Sequence, residues 1–280
     1  MRHTYSANVI LLDGPMGTEL AFRDVPTSLP RWSAGALVSH PEIVTAIHQD
    51  YVDAGADVLT TNTFRTAEVT LGAEWRHYTH RAVSLARHAA GASCRVAGSI
   101  APLADCYRPD LSPASAHPDE TFQAHSQMAE ALADECDLIL CETFPSIEEA
   151  VLAARAAVAT GRETWVALTA GPEEPLLSTD EMREGAKRLV DEGVSALLVS
   201  CSPAAQCRRY VEALAAVGLP AGVYANAGVA DIESGFRSDP KSSPERYLRM
   251  AAEWADAGAV IIGGCCGTRP AHIKALNENR

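Results

Sequence analysis

Eight short apolar runs, separated by longer amphipathic stretches, constrain this chain more than any other feature. The runs are VILLDG (9–14), ADVLTTN (56–62), RVAGSI (95–100), DLILCE (137–142), TWVALTA (164–170), SALLVSC (195–201), AGVYANAG (221–228) and AVIIGGC (259–265). Most are continuously apolar rather than alternating, as strands buried on both faces are. The intervening stretches carry the helical period. In 41–55, Ile43, Val44, Ile47, Tyr51 and Val52 fall on one stripe, Pro41 opens the first turn and Gly55 closes the last. Residues 146–161 start from Ser146, place Glu148 and Glu149 in the first turn and stop at Gly161. Segments 202–218 and 243–258 share a Ser-Pro start and a Gly stop, and helices also fit 75–90, 119–134 and 179–192.

Parallel strands need crossovers long enough to hold a helix, so this alternation predicts a parallel α/β sheet. Eight units in 280 residues fit a single (β/α)8 TIM barrel spanning 1–280 as one domain. The competing architecture is an open doubly wound sheet, but no GxGxxG follows any of the runs. Three connections after strands are long, 14–40, 101–118 and 227–242. In a barrel all three lie on the C-terminal face, where active sites sit, and they are expected to be ordered lids.

Charge narrows the partners. There are 23 Lys and Arg against 36 Asp and Glu, a net −13, which repels phosphate backbones and anionic lipid. No nucleic-acid or membrane partner is expected. No window approaches the ~20 apolar residues of a spanning helix, and the N-terminus lacks a signal-peptide pattern. The expected compartment is the cytoplasm. In a reducing compartment the eight cysteines, at 94, 106, 136, 141, 201, 207, 265 and 266, are expected to be thiols rather than disulfides.

The strand ends gather the chemistry. They supply Asp13-Gly14, Thr61-Asn62, Cys141-Glu142, Cys201, Asn226 and Gly263-Gly264-Cys265-Cys266-Gly267. Taken alone, Cys201 reads as a buried apolar residue. The adjacent pair in a glycine-flanked turn is harder to explain that way, because the glycines let neighbouring thiols aim at one point. Three thiolates from two strand ends would make a three-cysteine site with one open position, the catalytic arrangement for zinc. Cys94, Cys136, Cys141, Cys207 and the loop residue Cys106 read as structural, and His77, His80 and His88 as solvated surface. Glu142 is either the partner of a neighbouring Arg or a seat for a substrate ammonium. Asp13 invites the same comparison, and the turn Gly14-Pro15-Met16-Gly17 offers backbone N–H groups to a carboxylate. An amino-acid substrate would use both signs.

DGPMGTEL (13–20), PEIVTAIHQDYVDAGADVLTTNTF (41–64), GSIAP (98–102), ETFPSIEEA (142–150), VSCSP (199–203), YANAG (224–228) and GGCCGT (263–268) occur in an order and spacing that resembles the homocysteine S-methyltransferase family. The resemblance runs from about residue 9 to 275. It implies a (β/α)8 barrel with one catalytic zinc held by Cys201, Cys265 and Cys266. It also implies that Glu142 holds the homocysteine amino group, that Asp13 and Gly14 form the substrate-binding turn, and that Asn226 lies near the metal. The chain reads Ser200-Cys201 where a member typically reads Asn-Cys. It reads YANAG where S-methylmethionine-using members commonly read YPNSG.

A free thiol near neutral pH is only a few per cent thiolate, and zinc would deprotonate it. The sulfur then attacks a methyl group bearing a good leaving group, with no general base required. The donor is expected to be a small onium compound of the S-methylmethionine, S-adenosylmethionine or betaine type, with methionine as product. One alternative is a homocysteine-activating subunit served by a separate corrinoid protein. Another is a non-catalytic zinc/thiol redox sensor, against which the intact Asp13 and Glu142 argue. The chain ends soon after its eighth helix, so no fused cobalamin or folate domain is expected. Trp32, Tyr107 and Phe236, one on each long loop, are candidate walls for an onium methyl group.

Overall fold

The computed structural model describes residues 8–172, 176–231, 235–238 and 243–280, with the side chains of 229–231 and 235–238 outside that description. β1 (Ile10–Leu11) is followed by α1 (Met16–Phe22), α2 (Gly35–Ser39) and α3 (Pro41–Asp53), and β2 (Val58–Thr60) by α4 (Glu68–Leu71) and α5 (Trp75–Ala90). β3 (Arg95–Ile100) leads to α6 (Pro118–Ala133), β4 (Leu138–Phe144) to α7 (Ile147–Ala159), and β5 (Glu163–Thr169) to α8 (Thr179–Asp191). β6 (Ala196–Pro203) leads to α9 (Cys207–Ala215). β7 (Ala221–Asn226) leads through a hairpin of β8 (Gly228–Asp231) and β9 (Gly235–Ser238) to α10 (Pro244–Asp256), and β10 (Ala259–Gly264) to α11 (Pro270–Asn277).

The eight barrel strands pair in parallel in the order β1-β10-β7-β6-β5-β4-β3-β2. A parallel bridge between Leu12 and Val58 brings β1 back to β2 and closes the ring. The fold is thus the expected (β/α)8 barrel. Alternation along each strand divides two cores. On β4, Leu138 and Leu140 join an inner cluster with Leu12, Val58, Trp165, Leu198 and Ile261. Their neighbours Ile139 and Cys141 face outward into the layer under the helices, with Leu132, Tyr247 and Trp254.

Helix boundaries follow the local signals. Ser178 accepts the Glu181 N–H while Glu181 bonds back to the Ser178 N–H, a capping box on α8. Ser146 and Ser243 cap α7 and α10 through their side chains. Among the described residues, no helix is long and apolar enough to cross a membrane.

Three expectations need correction. The segment after β1, expected as an ordered lid without helices of its own, contains two. It winds into α1 from Met16 onward and then into α2, because Leu20 and Leu37 each bury an apolar side chain fully. The helix expected over 202–218 starts only at Cys207, since β6 runs on to Pro203. The connection 227–242 contains the β8–β9 hairpin, and Phe236 falls where side chains lie outside the described residues.

Candidate active site at the barrel mouth

Two irregular strand ends shape the mouth. β4 loses register between Cys141 and Phe144, and β6 between Ser200 and Pro203. At these breaks Thr143 has φ 63° and Cys201 φ 48°. Left-handed backbone is uncommon for any side-chain-bearing residue and strained for a β-branched one. The Thr143 hydroxyl and the Cys201 sulfur meet at 3.4 Å. No glycine marks either position, so the sequence carries no signal for these turns.

The GGCCG turn behaves differently at each glycine. Gly267 has φ 82°, and a Cβ there would sit 2.2 Å from the Gly228 nitrogen. Gly264 needs no unusual φ, but its Cβ would meet the Thr268 hydroxyl at 2.2 Å. The turn is pinned by Cys265 N–H to Ala225 O (3.0 Å) and by Ala227 N–H to Cys266 O (2.9 Å). Its two cysteines are thereby tied to β7, directly beside Asn226.

The structure does bring Cys201, Cys265 and Cys266 together. Cys265 and Cys266 sulfurs lie 4.0 Å apart, and all three side chains are buried. Where separate thiols are expected, the structure sets the Cys201 and Cys265 sulfurs against each other as a disulfide pair, across a Cα–Cα distance of 5.7 Å. That separation is ordinary for a disulfide. Two sulfurs aimed at one point can share a metal or, on losing two electrons, each other. Among the described residues no group of three His, Cys, Asp or Glu is arranged as a ready metal site.

The donor set nevertheless fits a soft cation. Three sulfurs converge, and burial pushes the Cys266 thiol up to about 12, so only a bound cation would hold it as thiolate. The buried Asn226 amide beside them has neither its oxygen nor its nitrogen hydrogen-bonded. Tyr107, on the loop after β3, packs against the inner barrel cluster that includes the three cysteines. Cys106, read as structural, is close enough to Cys266 for the charge of either to disfavour the other's.

Glu142 and Asp13 complete the mouth. The Ser99 hydroxyl donates to Glu142 Oε1, and the Tyr224 hydroxyl donates to Oε2 at 3.4 Å. No Arg pairs with Glu142, so the ion-pair reading falls among the described residues. Desolvation raises its carboxyl to about 7 despite those two donors. Asp13 accepts the Thr60 N–H at 2.8 Å, and burial, with Glu142 adding repulsion, raises it to about 8. Gly14 is fixed by packing, since a Cβ would lie 2.7 Å from the Tyr51 hydroxyl. Ser99, Thr143 and Tyr224 were not singled out by sequence. Tyr224 was detectable, because it sits two residues before Asn226 on the same inward face.

The raised pKa of Glu142 gives a signed expectation. Its neutral form is favoured in the folded, metal-free protein, so its contribution is fully present below the unfolded value of 4.5 and is lost as pH rises through about 7. Against Glu142→Gln, which does not titrate, the native protein should lose about 3 kcal/mol of stability between pH 4.5 and 8. Urea denaturation of both across that range measures it. A stability difference that stays flat with pH would mean that the folded protein does not hold this carboxyl neutral.

Comparison with known proteins bears on this site. A family model described as homocysteine S-methyltransferase matches residues 10–280. Homocysteine S-methyltransferase of Escherichia coli K12 is 31% identical over 300 residues, covering 96% of this chain and 94% of its own. Betaine–homocysteine S-methyltransferase 1 of Bos taurus is 28% identical, covering 98% of this chain and 72% of its own. The crystal structure of the Escherichia coli homocysteine methyltransferase MmuM in its metallated form superposes with a TM-score of 0.81, at 30% identity over 98% of this chain and 97% of that one. Its oxidised form gives the same TM-score.

Proposed function

The chain belongs to the homocysteine S-methyltransferase family and is a methyltransferase acting on homocysteine, and on that premise we propose that it uses zinc to move a methyl group from a small onium donor to the homocysteine thiol, giving methionine. The observation that carries this reading is the convergence of the Cys201, Cys265 and Cys266 sulfurs beside two buried carboxylates. Cys201, Cys265 and Cys266 would hold the zinc once the disulfide is reduced. Bound there, zinc would supply the positive charge that keeps the homocysteine sulfur a thiolate at neutral pH.

The remaining work falls to the chain. Glu142 receives the substrate ammonium, which draws the carboxyl back to its ionised form, so binding near pH 6 releases a proton. Asp13, held by the Thr60 N–H, adds a second carboxyl to the mouth. Asn226 has an amide free to meet a polar substrate atom beside the sulfur cluster. Ser99 and Tyr224 keep the Glu142 oxygens in place. Tyr107, packed against the inner cluster, would form a wall for the donor.

The test is a methyl-transfer assay of reduced, zinc-loaded protein with homocysteine. S-methylmethionine, S-adenosylmethionine, glycine betaine and methylcobalamin are offered in parallel. Transfer from an onium donor supports the reading. Transfer from methylcobalamin alone would replace it with the corrinoid-served alternative, and no transfer from any donor would end it.

The aromatic walls give a further expectation. Trp32 packs edge-on to Phe64, with ring centroids 5.6 Å apart, and closes over Gly17. Tyr107 packs against the inner cluster to which the three cysteines belong and lies near enough to Cys266 to feel its charge. A cation–π contact is worth about 0.5–2 kcal/mol. Tyr107→Ala should therefore raise the donor KM by about 2- to 30-fold while homocysteine binding holds. Trp32→Ala should affect both substrates through lid packing. Steady-state kinetics against each substrate separate the two, and an unchanged donor KM in Tyr107→Ala would move the donor elsewhere.

A further inference from the structure

Glu149 is a buried acid that takes no part in the barrel mouth. It lies in the first turn of α7 and is 1% exposed. A carboxylate in a helix's first turn needs no explanation when it favours the helix dipole while facing water. This one faces inward. Its Oε1 accepts the Leu103 N–H at 2.7 Å and the His125 Nε2–H at 3.3 Å, and its Oε2 accepts the Ser112 hydroxyl at 2.6 Å. Burial works against its charge, and these donors outweigh burial, leaving the carboxyl below its ordinary value.

Leu103 and Ser112 are the two ends of one loop. A single carboxylate therefore clasps both ends of a segment whose tip carries Cys106 and Tyr107. This is the layout of a compact Ω-type loop. Other restraints are few. Arg65 donates to Ala104 O at 3.0 Å. Within the loop, the Tyr107 N–H bonds Asp105 and Arg108 pairs with Asp110. Packing adds little on the outer side, where Leu103, Ala104, Leu111 and Pro113 border a cavity of about 400 Å³ against α4, α5 and α6.

We propose that Glu149 is a positioning residue for methyl transfer: by clasping Leu103 and Ser112 it fixes the 103–112 loop and with it the place of Tyr107 over the cysteine cluster. The proposal rests on the reading of that cluster as the reacting centre. Glu149 touches no substrate. It acts through the loop, so its loss should fall on the donor side and leave the homocysteine and metal side intact.

The experiment compares native protein with Glu149→Leu and Glu149→Gln. Gln keeps an oxygen for the Leu103 and His125 donors and an amide group against Ser112, whereas Leu keeps none of these. The first readout is the rate of iodoacetamide alkylation at Cys106, followed by peptide mass, with the buried Cys136 and Cys141 as internal references. In Glu149→Leu the Cys106 rate should rise about 10-fold or more while the references hold, because charged hydrogen bonds closing the loop are lost. The second readout is kinetic. The donor KM should rise in Glu149→Leu, homocysteine affinity and zinc content should stay native, and Glu149→Gln should restore both readouts to within about 3-fold.

An unchanged Cys106 rate in Glu149→Leu overturns the clasp. A rise shared equally by Cys106, Cys136 and Cys141 means general loosening and also overturns it. A faster Cys106 with an unchanged donor KM makes Glu149 purely structural and overturns its positioning role. Alkylation does not depend on turnover, so a native protein inert toward every donor sinks the functional reading, and positioning with it, whatever the clasp does.

Discussion

Cys266→Ser should strip the protein of metal. After reduction, zinc loading and dialysis, native protein should retain one zinc per chain and the variant only a trace. A serine hydroxyl is a poor replacement for a thiolate in a site selected by soft ligands. Methyl transfer should fall by ~1,000-fold or more, since the homocysteine thiol loses both its ionisation and its fixed position. Cys94→Ser is the matching control, because that thiol bonds the Ala56 carbonyl far from the cluster and should leave zinc unchanged. The disulfide supplies a companion test. Protein in which Cys201 and Cys265 are oxidised should take up no zinc, and reduction should restore full uptake. Full zinc retention and activity in Cys266→Ser would remove this residue from the site.

The second large effect is expected at Glu142. Glu142→Gln preserves shape and removes the charge that an ammonium would meet. A buried hydrogen bond to a charged group is worth about 1.5–3 kcal/mol, so homocysteine affinity should drop by ~10- to 150-fold. Zinc content should not change, because Glu142 lies on β4 and the sulfurs on β6 and the turn after β10. Isothermal titration in two buffers of different ionisation enthalpy adds a check. Zinc-bound thiolate formation releases a proton in both proteins, so near pH 6 the native protein should release up to about one proton more than the variant on binding homocysteine, the one that leaves Glu142. Normal binding by Glu142→Gln would mean that the amino group is held elsewhere, with Asp13 the next candidate.

These residues also show how far the sequence could be read. The periodic stripe of Ile43, Ile47 and Tyr51 located α3, and the unbroken apolar runs located every barrel strand. Both patterns record which face is buried, and burial is written locally at 3.6 or 2 residues per repeat. The GGCCG turn stood out for a similar reason, since Gly267 occupies a backbone region that other residues avoid. Glu149 was visible only as a helix-start acid, because nothing in its neighbourhood names Leu103, Ser112 or His125 as partners. Thr143 and Cys201 adopt left-handed backbone without any glycine to announce it.

The sequence by itself determined the eight barrel strands and the main crossover helices, the barrel they form and the cysteines and carboxylates carried at the strand ends. Only the tertiary structure decided that Cys201 and Cys265 come close enough to bond, that Glu142 sits between Ser99 and Tyr224, and that Glu149 faces a loop instead of water. Each of those contacts joins residues tens of positions apart. They depend on ring closure between Leu12 and Val58 and on strand register, which emerge from packing the whole chain and leave no local period to read.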